Sequence, residues 1–144
     1  MLERLIVYSD GGARGNPGPA AIAYLAVSEA GQVIKADSRF IGETTNNLAE
    51  YTALIAALEF AKTIKAQEVT CHLDSELVGK QLKGEYNVKN PELKKLWSKA
   101  SELKSCFKKV SFVNVPRTNP YITRADALVN KTLDEKQGGL QLKK

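Results

Sequence analysis

The sequence is poor in soft metal ligands and in aromatic rings. It has one histidine, His72, two cysteines and one tryptophan among 144 residues, and aromatics make up 7%. Cys71 and Cys106 stand in no metal-binding or redox spacing, so two reduced thiols are expected. No apolar run approaches the roughly 18 residues that a membrane span needs. The first residues, Met1-Leu2-Glu3-Arg4-Leu5, lack a basic stretch, a long apolar segment and a small-residue cleavage site. The expectation is a cytoplasmic protein with no membrane contact. There is no internal repeat and no low-complexity tract, and a monomer is the default expectation.

What is present suits one compact unit. A hydrophobic content of 43% is enough for a single core at this length. The net charge of +5 is unevenly spread. Residues 1–79 hold 6 basic and 10 acidic residues, residues 80–109 hold 9 lysines and 3 glutamates, and residues 110–144 hold 6 basic and 3 acidic residues. An acidic first half and a basic second half suit a protein that holds cations at one place and phosphates at another. On charge alone, a solvated lysine-rich helix explains the second half as well.

Periodicity gives the order of elements. A short apolar run at residues 5–8 reads as a strand ending in a tight turn at Asp10-Gly11-Gly12, continued as a loop by Asn16-Pro17-Gly18-Pro19. Residues 21–27 and 33–41 read as two further strands joined at Glu29-Ala30-Gly31, so the first three strands should be antiparallel. Leu48, Tyr51, Ile55, Leu58 and Ala61 recur at helical spacing over residues 47–64. A fourth strand follows at 68–73, and Asp74 or Ser75 can cap a second helix reaching about Leu82. After a loop over 84–91, Pro91 suits the first turn of a third helix carrying Leu93, Leu96, Trp97 and Leu103. A fifth strand is expected at 110–115. A loop over 116–123 then leads to a last helix over about 124–136, closed by Gly138-Gly139. The predicted fold class is α/β, a mixed five-stranded sheet in the order βββαβααβα with helices on its faces. Residues 1–137 form the domain and residues 138–144 a tail, either frayed or paired with a sheet edge.

Four carboxylates stand out by their placement. Each has a local explanation: Asp10 in an Asp-Gly turn, Asp74 as a helix cap, and Glu50 and Asp126 in capping-box spacing after Asn47 and Thr123. Yet Asp10 and Asp74 leave the ends of the first and fourth strands, and parallel neighbours would project both from one sheet edge. Helices starting before Glu50 and Asp126 could present those two to the same edge. Four carboxylates at one place repel unless cations neutralise them. Oxygen-only ligands suit Mg²⁺ or Mn²⁺, whereas zinc prefers Cys or His. Two such ions about 3.5–4 Å apart serve phosphodiester hydrolysis, one activating water and the other stabilising the leaving oxygen.

The segments Tyr8-Ser9-Asp10-Gly11-Gly12-Ala13-Arg14-Gly15-Asn16-Pro17-Gly18, Thr44-Thr45-Asn46-Asn47-Leu48-Ala49-Glu50-Tyr51, Leu73-Asp74-Ser75 and Arg124-Ala125-Asp126 resemble, in order, the four motifs of type 1 ribonuclease H. The likeness runs from about residue 5 to 135. It implies the ribonuclease H-like fold and an endonuclease cutting the RNA strand of an RNA–DNA hybrid to 5′-phosphate and 3′-hydroxyl ends. It also implies two Mg²⁺ or Mn²⁺ ions held by Asp10, Glu50, Asp74 and Asp126. By the same resemblance, the backbone of Gly12, Ala13 and Arg14 and the amide of Asn47 read the RNA 2′-hydroxyls. Asn16, Asn46 and Ser75 match positions that contact the nucleic-acid backbone. Glycines let a backbone approach a ligand closely, and the 2′-hydroxyl is what separates RNA from DNA.

Two departures from the pattern are visible. Many members carry a histidine in the loop before the last helix, but His72 lies in the fourth strand and reads as a core or sheet residue. The loop instead offers Arg117, Asn119, Tyr121 and Arg124, and Arg117 is the candidate to take over. The spacing from Asn119 to Asp126 is also longer than the family's common one. The second departure is the missing lysine-rich insertion after the second helix. Lys80, Lys83, Lys89, Lys94 and Lys95 substitute in part, with Trp97 read as core. Phosphate contacts of that kind bring affinity without sequence preference. Two other readings stay open at this point: the same fold acting on double-stranded RNA as well, and a non-catalytic hybrid-binding module.

Overall fold

The computed structural model describes the backbone of residues 3–142 and the side chains of residues 3–137. Strands β1 (Arg4–Ala13), β2 (Gly18–Val27) and β3 (Val33–Thr44) precede helix α1 (Asn46–Thr63). Strand β4 (Glu68–Leu73), helices α2 (Glu76–Leu82) and α3 (Pro91–Lys104), strand β5 (Lys109–Asn114) and helix α4 (Pro120–Leu142) complete the expected order. The sheet runs β3-β2-β1-β4-β5, antiparallel on the β2 and β3 side and parallel where β1 meets β4 and β4 meets β5.

Both faces of the central strands are covered. Leu5 and Val7 of β1 and Ile22, Tyr24 and Ala26 of β2 pack with α1 in the main core, which α3 backs through Ala100 and Leu103. Helix α1 lies between sheet and α3, so it is apolar around most of its circumference, with Leu54 and Leu58 fully buried. On the opposite face Ala21 and Ala23 meet Ala125, Val129 and Leu133 of α4. Small alanines on β2 allow α4 to sit close to the sheet. Among the described residues no helix is long and apolar enough to cross a membrane.

Three local expectations change. The Asp10-Gly11-Gly12 segment is not a turn: β1 continues to Ala13, with Asp10 opposite Ala23 and Gly12 opposite Ala21 in the ladder with β2. The physical reason lies at Gly11, where an added Cβ would stand 2.3 Å from the Ala49 carbonyl oxygen of α1. Glycine there serves close strand–helix approach, not turn formation. The last helix starts at Pro120, not near Arg124, because Asn119 caps it: its Oδ1 accepts from the backbone N–H of Tyr121 at 2.9 Å and of Ile122 at 3.2 Å. That helix also passes Gly138-Gly139 without stopping and continues to Leu142, so part of the expected tail is helical. Residues 143 and 144 lie outside the described residues.

Candidate active site

Register brings the first two carboxylates together. β1 and β4 pair in parallel with Tyr8 opposite His72, so two residues further on Asp10 and Asp74 come level at the same rim. Helix α1 then supplies Glu50 from the neighbouring layer. Its Oε1 accepts a buried 2.9 Å hydrogen bond from the Gly11 backbone N–H, made possible by the absent side chain at that glycine. One carboxylate oxygen from each of Asp10, Glu50 and Asp74 lies within 4.8 Å of the others. Asp126 of α4 joins from the opposite face of the sheet on the same groove, near enough that it helps raise the Asp10 carboxyl. All four line one open groove of about 630 Å³, with Gly12, Asn46, Asn47, Ser75 and Arg117 also on its walls.

The local explanations for these acids are not what the structure uses. Thr45 caps α1 by accepting from the Leu48 N–H, so the Asn47–Glu50 capping box does not form. Ser75 caps α2 by accepting from the Val78 N–H at 3.2 Å, so the Asp74 carboxylate is not used as the helix cap. Asn119 caps α4, and Thr123 donates to the Arg117 carbonyl instead of forming a box with Asp126. Glu50 and Asp126 consequently sit in the second turns of their helices, not the first. In each helix a neighbour does the capping, and the acid faces the groove.

The electrostatics show what this proximity costs. Burial, then the charge of Asp74, push the Asp10 carboxyl up to about 7. Burial, then the Asp10 charge, hold Glu50 well above the ordinary carboxylate range, opposed by the Gly11 hydrogen bond. Asp74 is raised by burial and lowered by its own backbone N–H and by Arg117. The Arg117 Nε stands 4.0 Å from Asp74 Oδ2, and that arginine side chain is 85% exposed. A single, solvated guanidinium at that distance does little to offset the clustered charge. An all-oxygen donor set of this density, without histidine or thiolate, fits a hard divalent cation.

The other predicted positions divide into two groups. Asn46 and Asn16 shape the loop after β1: Asn46 Oδ1 accepts from the Ala13 N–H at 2.8 Å, and the Asn46 N–H donates to Asn16 Oδ1 at 3.1 Å. Asn47 lines the groove, and its side-chain amide makes no hydrogen bond among the described residues. The Arg14 side chain turns away from the groove to α4, where it pairs with Asp134 at 2.7 Å. His72 stands in a stack with Tyr8 and Tyr121, ring centroids 4.8 and 4.5 Å apart along the series. Trp97 packs against the core and donates from Nε1 to the Gln81 carbonyl.

Two residues escaped the sequence reading. Asn114, at the end of β5, donates from Nδ2 to the Ser75 carbonyl at 2.8 Å and braces the turn that carries Asp74. Asn130 of α4 donates to Asp126. Neither stands in a motif, and a lone asparagine in a strand or helix gives no local signal.

A sheet in this order, with carboxylates from β1, from the end of β4, and from helices on both faces meeting at one rim, defines the ribonuclease H-like class. Comparison with known proteins narrows this. A family model described as reverse transcriptase-like matches residues 8–132. The ribonuclease HI of Halobacterium salinarum is 44% identical over 133 residues, covering 92% of this chain and 65% of that protein. A bifunctional protein of Mycobacterium tuberculosis is 39% identical over 132 residues, covering 91% of this chain and 36% of that protein. The crystal structure of LC11-RNase H1, isolated from compost, in complex with an RNA/DNA hybrid matches with a TM-score of 0.87 and 43% identity, over 92% of this chain and 99% of that one. The chain belongs to the type 1 ribonuclease H family. It spans less than two thirds of the length of the Halobacterium and Mycobacterium relatives.

Proposed function

We propose that this chain is an endoribonuclease that hydrolyses the RNA strand of RNA–DNA hybrids, leaving 5′-phosphate and 3′-hydroxyl ends. The observation that carries it is the trio Asp10, Glu50 and Asp74, with oxygens within 4.8 Å of one another and, among the described residues, no adequate counter-charge. Asp10, Glu50, Asp74 and Asp126 would hold two Mg²⁺ or Mn²⁺ ions. Bound there, such ions supply activation of the attacking water and stabilisation of the leaving oxygen.

The protein's own groups do the rest. Glu50 keeps one oxygen on the Gly11 N–H and offers the other to the groove, so its carboxylate is fixed before substrate arrives. The Ala13 and Arg14 N–H groups are spent on Asn46 and on the Pro19 carbonyl, so a 2′-hydroxyl at residues 12–14 would donate to a backbone carbonyl. Asn47 offers a free amide to a second 2′-hydroxyl. Asn46 and Asn16 use their oxygens within the loop and keep their NH₂ groups to donate to phosphate, as the Ser75 hydroxyl can. Arg117, whose Nε stands 4.0 Å from Asp74 Oδ2, would take over the loop role of the absent histidine and could donate to a phosphate oxygen of the cleaved strand. Residues 1–137 are taken as the catalytic unit and 138–144 as an appendage to it. Two unpaired cysteines suit a reducing, cytosolic setting.

Asp10→Asn tests the proposal. With a labelled hybrid and Mg²⁺ or Mn²⁺, the variant should lose cleavage by about a thousandfold or more while folding normally. Full activity would remove the assignment. Matched RNA duplex and DNA duplex set the substrate class in the same assay, and the hybrid should be cut fastest.

A further inference from the structure

Arg14 stands in the loop after β1, yet its side chain is not among the groove's walls. Its Nη2 pairs with Asp134 Oδ1 at 2.7 Å and donates to both the backbone carbonyl and the side-chain Oδ1 of Asn130 at 3.3 Å. Its Nη1 donates to Gln137 Oε1. Asn130 in turn donates from Nδ2 to the Asp126 backbone carbonyl at 3.1 Å and to Asp126 Oδ2 at 3.3 Å. The chain of contacts runs from the loop, through α4, to the carboxylate that lies beside Asp10.

The order of donors gives this chain a direction. A guanidinium can only donate, and a carboxylate can only accept. Between them, the Asn130 amide must turn its oxygen to Arg14 and its NH₂ to Asp126. Arg14 fixes that orientation from the oxygen side while the two Asp126 acceptors fix it from the NH₂ side; without Arg14 the amide keeps its preference but loses the contact that anchors it to the loop. Asn130, Asp134 and Asp126 are all exposed, where such contacts add little to stability. Their geometry matters more for where the Asp126 oxygens sit. Groups that orient metal-binding carboxylates typically change affinity or activity by about 10–100-fold when removed.

We propose that Asn130 is a positioning residue for the reaction: oriented by Arg14, it holds the Asp126 carboxylate beside Asp10, and so couples the loop after β1 to the acidic cluster. This rests on the reading of Asp126 as part of the site. Asn130→Ala should lower kcat on the hybrid by about 10-fold with KM within about twofold, and Arg14→Ala should act in the same direction. In the Asp126→Asn background, Asn130→Ala should cost nothing further, since it acts through that carboxylate. A calorimetric Mn²⁺ titration of the hybrid-free protein should show weaker binding in Asn130→Ala. Asn130→Asp, which keeps the shape and removes the donor, should be at least as impaired, with thermal melts confirming that each variant is folded. If Arg14 instead gripped a phosphate, Arg14→Ala would reduce the slope of log K against log salt by about one, whereas the coupling role leaves that slope unchanged. Two results overturn the proposal: an equal loss on Asn130→Ala with and without the Asp126 carboxylate, or a wild-type kcat in Asn130→Ala beside an impaired Asp126→Asn. A fully active Asp126→Asn sinks the reading of Asp126 itself, which is a different failure.

Discussion

The acidic rim and the lysine-rich surface of α2 and α3 are both charged, yet they are built in opposite ways. At the rim, Asp10 and Glu50 are 6% and 9% exposed, and their positions are fixed by strand register and by a buried hydrogen bond from a residue 39 positions away. On the second surface, Lys80, Lys83, Lys89, Lys94 and Lys95 enter no ion pair among the described residues, and the Lys80 ammonium donates to the Tyr86 hydroxyl and lies over its ring at 5.0 Å. One region concentrates like charge against its own repulsion, which requires rigid support. The other spreads like charge over solvent, which requires none. Chemistry that demands fixed oxygens belongs to the first, and affinity for a phosphate backbone suits the second.

The sharpest way to break that contrast is to attack the support and not the acids. Gly11→Ala would place a methyl group 2.3 Å from the Ala49 carbonyl oxygen and 2.8 Å from the Glu50 nitrogen, both backbone atoms of a packed helix. Strand and helix must part, so the variant should lose about 3 kcal/mol or more in urea denaturation. Gly12→Ala meets only Val129 Cγ1 at 3.7 Å and should stay within about 1 kcal/mol of the parent. Equal losses at the two glycines would mean that close approach at Gly11 is not what anchors Glu50.

The second test concerns the repulsion itself. Asp10 titrates near 7 in the fold, above its ordinary value of 3.8, chiefly through burial and then through Asp74. A raised folded value means that folding favours the protonated form. That stability is fully present below about pH 4 and is lost as pH rises through 7. Without divalent ions, Asp10→Asn should therefore melt higher than the parent at pH 8, by about 1–3 kcal/mol, and the gap should close as the pH falls towards 4. Adding Mn²⁺ at pH 8 should also close it, by stabilising the parent. A gap of the same size at pH 5 and pH 8 would show that charge repulsion is not its source.

The contrast also explains what the sequence could show. Strand β4 falls at residues 68–73 as expected, because its alternation and flanking signals are local. The meeting of Asp10 and Asp74 follows from two strands lying in parallel. Asp10-Gly11-Gly12, however, reads as a turn from composition alone, and only the distant Ala49 backbone explains why glycine sits inside a strand. The start of α4 was hidden for a similar reason: Pro120 looks like loop, although Asn119 makes it the first residue of a helix. Asn114 and Asn130 were invisible because their significance lies in partners that no local spacing encodes.

The smallest expected effects lie on the lysine surface, and their smallness is what the contrast requires. Among the described residues Lys83, Lys94 and Lys95 make no ion pair or side-chain hydrogen bond, so alanine at any one should leave stability within about 0.5 kcal/mol of the parent. Each lysine that touches a phosphate releases a counterion on binding, so its removal should weaken hybrid binding uniformly across sequences and lower the salt slope by about one. The losses should add, since these side chains share no network, and kcat at saturating hybrid should not move. A single lysine whose removal cuts kcat would place part of this surface in the chemistry and erase the division between a rigid acidic rim and a loose basic face.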